Sequence, residues 1–97
     1  MPTYISLVSF TQQGIQNIKQ SPARLDSAKK AFKAMGGELK NFYLTLGRYD
    51  IVLIGDHPDD ETTAKIALSI GSLGNIRTET FRAFTEDEYR KLIKSLP

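Results

Sequence analysis

The chain has 97 residues, 40% of them hydrophobic and 25% charged, with a formal net charge of +2. That length fits a single domain, residues 1–97, with a modest core, and the absence of cysteine excludes disulfides and thiolate metal sites and suits a cytoplasmic protein. No apolar run approaches the roughly 20 residues of a membrane helix, and Met1-Pro2-Thr3-Tyr4 lacks the basic and apolar regions of a signal peptide.

Residues 3–10 are β-branched and aromatic with partial alternation, which predicts a strand. Thr11 caps a short helical turn carrying Ile15 and Ile18 on one face. Ser21-Pro22 then opens a longer helix, with Ser at the N-cap and Pro at the first position, where its missing N–H costs nothing. Leu25, Ala28, Phe32 and Met35 follow at helical spacing, and Gly36-Gly37 ends the helix. The basic residues Lys29, Lys30 and Lys33 read as its wet side.

Two strands follow, 38–46 and 49–56, with only Gly47 and Arg48 between them. Gly at the first central position suits a type II′ hairpin. The register then sets Leu46 opposite Tyr49, Thr45 opposite Asp50, Leu44 opposite Ile51 and Tyr43 opposite Val52. His57-Pro58-Asp59-Asp60-Glu61 stops the strand and starts a second long helix, its acidic residues placed where the helix dipole favours them. Ala64, Ala67, Leu68 and Gly71 mark one stripe, widened by Ile66, Ile70 and Leu73, and Gly74-Asn75 ends the helix. Residues 76–84 predict a fourth strand. Thr85 and Glu88 form a capping box for a last helix showing Tyr89, Leu92, Ile93 and Leu96.

This order predicts an α+β, ferredoxin-like βαββαβ(α) fold: an antiparallel four-stranded sheet with helices on one face. The hairpin adds a demand. Phe42, Leu44, Leu46, Tyr49, Ile51 and Leu53 share one face, which the helices can bury. Asn41, Tyr43, Thr45, Asp50, Val52 and Ile54 share the other, too apolar for bare water and too polar for a dry core. A second copy packed sheet against sheet would cover it, giving a dimeric α/β barrel, with the last helix capping an edge or reaching the neighbour. The expected partner is the chain itself, as a homodimer or higher even oligomer.

Gly47-Arg48-Tyr49-Asp50, the run from Gly74 to Thr80, the stretch Ala83-Phe84-Thr85-Glu86-Asp87-Glu88-Tyr89, and the opening Tyr4-Ile5-Ser6-Leu7-Val8 with Gly14-Ile15 resemble the GYD domain family. Arg48 separates Gly47 from Tyr49-Asp50, so the name-giving run carries one interposed residue. The resemblance covers nearly the whole chain. It implies a dimeric α+β barrel and assigns no chemistry, so no catalytic residue is carried over from it.

Five residues are candidates for a ligand site. Asp50 falls on the mixed face, where desolvation would raise its pKa unless a cation pairs with it; it reads more simply as a hydrogen-bond acceptor for the hairpin or for Thr45 beside the turn. His57, the only histidine, could act as a base at a barrel mouth, and reads more simply as an exposed loop residue. Tyr43 offers an aromatic wall with a polar tip, and Val52 an apolar neighbour. Arg82 could fix a carboxylate by bidentate contact if it points inward; Arg77 and Glu79 share the opposite face of that strand. These residues leave two readings open: a small molecule held in the barrel between two sheets, or a non-enzymatic oligomerisation or regulatory interaction module. No metal or cofactor is called for: one histidine makes a weak ligand set. Nucleic acid is not an expected partner, because the third strand lacks the basic–aromatic alternation of RNA-binding sheets. Neither is a membrane. No Walker loop, dinucleotide fingerprint or nucleophile elbow occurs.

Overall fold

A computed structural model describes all residues, 1–97. Strand β1 (Thr3–Phe10) leads through a short helix α1 (Gln12–Gln16) and a 3-10 turn (Ile18–Gln20) into helix α2 (Ser21–Ala34). Strands β2 (Glu38–Leu44) and β3 (Ile51–Asp56) form the hairpin, and α3 (Asp60–Gly71), β4 (Ile76–Ala83) and α4 (Glu86–Lys94) follow. The sheet order is β2-β3-β1-β4, every neighbouring pair antiparallel. The expected ferredoxin-like α+β arrangement is therefore present.

The turn after β1 is joined to the turn before β4. Thr11 Oγ1 accepts from the Gly14 N–H at 3.1 Å and donates to the Gly74 carbonyl at 2.5 Å. The Thr11 N–H donates to the Asn75 carbonyl at 3.1 Å. Gly14 is buried there, and the backbones approach so closely that a Cβ would lie 2.9 Å from the Asn75 carbonyl carbon and closer still to its oxygen. Gly74 takes a φ of +85°, a conformation that favours glycine.

Helix α2 starts at Ser21, one residue earlier than the N-cap reading places it, and Ser21 makes no capping bond. The 3-10 turn runs straight into α2, so the Ser21 N–H already donates to the Ile18 carbonyl. Elsewhere the caps follow the sequence. Asp59 accepts from the Thr62 N–H at 2.8 Å. Thr85 and Glu88 form the complete capping box.

The core lies between the sheet and helices α2 and α3. Tyr4, Val8 and Ile51 from the sheet, Phe32 from α2 and Ile66 from α3 are buried. The inward stripe of α3 is Thr63 and Ile66, with Ala67 and Ile70 half-buried, whereas Leu68 and Leu73 are exposed. Two residues apart on a helix is about 200°, so Leu68 cannot share the sheet-facing side with Ile66.

The hairpin register holds where the ladder holds: Leu44 pairs with Ile51 and Tyr43 with Val52. The ladder stops there. The Thr45 N–H still donates to the Asp50 carbonyl at 2.8 Å, and Thr45 Oγ1 donates to the Tyr49 carbonyl at 2.7 Å. Beyond Leu44 the strand alternation no longer governs the side chains, and two expectations change. Leu46, expected beneath the helices, is 98% exposed. Tyr49, expected beside it, swings to the opposite side of the sheet and donates its hydroxyl to Glu79 Oε2 at 2.8 Å.

Helix α4 buries none of its residues. The radius of gyration is 14.6 Å, against about 13 Å for a compact domain of this length, and the longest dimension is 52 Å. The excess fits a final helix that stands off the sheet.

Candidate functional site

Alternation along β1 and β3 divides the sheet. Val8, Phe10, Phe42, Ile51 and Leu53 line the helix side, together with Leu25 and Ala28 of α2 and Ile70 of α3. The opposite face has no helix over it. Two cross-strand rows build the middle of that face: one runs Tyr43, Val52, Leu7, Glu79; the other runs Asn41, Ile54, Ile5, Phe81. A polar row, Glu38, Asp56, Thr3, Ala83, bounds it at the end away from the hairpin, where Thr3 Oγ1 donates to Asp56 at 2.9 Å. The centre is thus four aliphatic side chains, half-buried in the single chain, flanked by Tyr43 at 55% and Phe81 at 47% exposure. Polar groups stand at the margins: the Tyr43 hydroxyl, the Asn41 amide, and the Tyr49–Glu79 pair. Ile5, Leu7 and Phe81 were not among the residues nominated from the sequence. The period-2 alternation that buries Tyr4 and Val8 carries the signal for the first two.

The structure separates the five nominated residues. Tyr43 and Val52 lie side by side on the helix-free face. Asp50 accepts the Phe10 N–H on Oδ2 at 2.9 Å, while its own N–H donates to the Val8 carbonyl at 2.8 Å, so it ties the hairpin to the end of β1. Arg82 lies opposite Tyr4, on the helix side. Its guanidinium sits 4.4 Å over the Phe84 ring, pairs with Glu88 at 3.5 Å and donates to the carbonyls of Thr3 and Ala83.

His57 is not an exposed loop residue: it is 4% exposed. Its ring packs edge-on against Phe32, with centroids 4.9 Å apart, and tilted against Tyr4 at 5.7 Å. Gly37 leaves it room, since a Cβ there would lie 2.9 Å from the Asp56 carbonyl oxygen and nearer still to His57 Nδ1. Nδ1 is buried without a hydrogen-bond partner. Burial holds the His57 pKa below the usual 6.5, and the nearby Asp56 carboxylate only partly opposes it. The unfolded chain therefore takes up this proton at a higher pH than the folded chain does. Stability is full above about pH 6.5 and falls as the pH drops below it. Thermal unfolding should show a lower Tm at pH 5.5 than at pH 7.5, and His57→Phe should flatten that dependence. An unchanged Tm across this range in the parent chain would contradict the buried neutral imidazole.

Two hollows lie on the helix side. A cleft of about 570 Å³ beside α3 is lined by Tyr4, Asp60, Thr63, Thr80 and Arg82. Its polar groups are already paired: the Tyr4 hydroxyl donates to Asp60, and Thr80 hydrogen-bonds Ser6 at 2.7 Å. Burial first, then the bond to Asp60, raises the Tyr4 pKa and keeps its phenol protonated. A second hollow of about 680 Å³ separates α2 from α3 and is mostly apolar. No group of His, Asp and Glu residues is placed to hold a metal ion, and no helix is long and apolar enough to cross a membrane.

Known proteins resemble this chain in sequence and in architecture. The glutamine synthetase and cystathionine beta-lyase binding protein of Thermus thermophilus is 30% identical over 84 residues, covering 86% of this chain and 88% of that protein. Among solved structures, the feast or famine regulatory protein of M. tuberculosis complexed with L-methionine superposes with a TM-score of 0.66 at 15% identity. The match covers 88% of this chain and 51% of that one, so this chain spans about half its length. A crystal structure of a Thermus thermophilus protein superposes with a TM-score of 0.56 at 24% identity, covering 88% of this chain and 95% of that chain. At these identities the two structures speak for the fold alone. The GYD domain family model matches residues 4–93, and with the curated relative this settles the question of kinship: the chain belongs to the GYD domain family.

Proposed function

We propose that this chain is a homodimeric binding module that acts by holding another protein. The observation that carries the reading is the bare helix-free face: Ile5, Leu7, Val52 and Ile54 form a continuous apolar strip that no element of their own chain covers. A second copy stacked on that strip buries both, and a twofold pairing of identical patches closes without leaving an open end. Stacking leaves α2 and α3 facing outward, with the apolar hollow between them and Lys29, Lys30 and Lys33 exposed on α2. The name of the 30%-identical relative, a binding protein for two enzymes, supports a protein as the client.

A small molecule between the stacked sheets is the second reading. Tyr43 and Val52 favour it, because they are cross-strand neighbours on the same face with the Tyr43 ring half exposed. Asp50, His57 and Arg82 would act there only indirectly, through the fold.

The test uses the purified full chain. Light scattering should give twice the chain mass. Sedimentation with the glutamine synthetase, or the cystathionine beta-lyase, of the same source organism should give a complex. A dimer that binds neither enzyme, but carries a fixed extra mass in native mass spectrometry that Tyr43→Ala removes, would replace the first reading with the second.

A further inference from the structure

Helix α4 has an apolar side with nothing on it. Tyr89, Leu92, Ile93 and Leu96 are 57%, 47%, 49% and 65% exposed. A nine-residue helix has little stability of its own in water and normally owes its order to packing. Within its own chain α4 is held at its start, by the capping box and the Arg82–Glu88 pair. The most exposed apolar side chain of the molecule is at the hairpin tip, where Leu46 is 98% exposed, with Leu44 next to it at 70% on the helix side. The two patches occupy opposite corners of the sheet. α4 leaves the Ala83 end of edge strand β4, which lies level with Thr3 and Asp56. The hairpin tip lies at the other end, beside edge strand β2.

Resting on the face-to-face dimer proposed above, we infer that α4 is an exchanged arm whose apolar side covers Leu46 at the hairpin tip of the second copy. A twofold axis lying between the sheets, along the diagonal that avoids both corners, carries each corner onto the other. This is the axis of an orthogonal sheet packing. Size supports it. Four strands of six to eight residues offer a footprint of only about 500 Å², against ~800 Å² per partner in a standard interface. Giving one arm and receiving another adds on the order of 300 Å² per chain, from a nine-residue helix.

The chain contains no cysteine, so placed thiols report contacts without interference. Leu46→Cys and Leu92→Cys are made in separate full-length chains, mixed by refolding together, and oxidised. Both positions are exposed in the single chain, so neither change disturbs its core. The expected result is a disulfide-linked pair containing one chain of each kind, with neither variant linking to itself. A dimer by light scattering that forms no mixed link overturns the arm and leaves the stacked sheets standing. A monomer at high concentration overturns both. As a second measurement, Leu92→Glu with Ile93→Glu should raise the dimer Kd about 100-fold, with an unchanged thermal unfolding curve for the dilute, monomeric chain.

Discussion

Val52→Asp should turn the proposed dimer into monomers without unfolding them. Val52 sits mid-row between Tyr43 and Leu7 on the helix-free face. In a single chain that face is open to water, so a carboxylate there is solvated and costs little. Between stacked sheets the same carboxylate would be buried without a cation, which costs about 3–5 kcal/mol. At ~1.4 kcal/mol per tenfold, the dimer Kd should rise by at least about 10²-fold, and by more if both copies bury the charge. Light scattering over a dilution series measures it, with circular dichroism as the check on folding. A dimer as tight as the parent's would mean that the copies associate through some other surface.

The largest loss of stability should come from Gly14→Ala. The new methyl would collide with the Asn75 backbone rather than with the yielding end of a side chain. Relief requires α1 and the turn before β4 to part. That would strain the hydrogen bonds of Thr11 to Gly74 and Asn75, and of Gln13 to Leu73 and Asn75. Overpacking of this kind costs about 1–3 kcal/mol, and each broken hydrogen bond adds ~1 kcal/mol. A loss of about 3 kcal/mol lowers the Tm of a domain this size by roughly 12–20 °C. Gly71→Ala is the control. It lies at the end of α3 with open space where its Cβ would go, so it should raise the Tm slightly through reduced chain entropy. Equal losses from both substitutions would show that the clash at Gly14 is not the cause.

Much of the fold was readable because its signals are local. The Thr85–Glu88 capping box needs four consecutive residues, and the Leu44–Ile51 register needs only a short turn and the pleat. What escaped was set by contacts distant in sequence. His57 looks like a loop residue until Gly37 and Phe32 arrive from α2 and the start of β2 to enclose it. Tyr49 obeys Glu79, thirty residues on, once the ladder releases it. The face itself was half legible. The hairpin showed that apolar side chains emerge on both sides, but Ile5, Leu7 and Phe81 join the strip only when β1 is inserted between β3 and β4. The residues that carry the family resemblance prove largely architectural. Asp50 anchors the end of β1, Tyr49 braces β4, and Gly14 seats against Asn75.

Polar groups close the apolar surface at both ends of its strands. At the hairpin end the Tyr49–Glu79 brace crosses β1 close to Leu7 and raises a sill; at the other end Thr3 Oγ1 donates to Asp56 at 2.9 Å, with Lys40 paired to Glu38 and Asp56 beside it. Whatever settles on this surface meets a stop at either end. The resting position of an incoming sheet along the strands is thereby limited before any of its own side chains come into play.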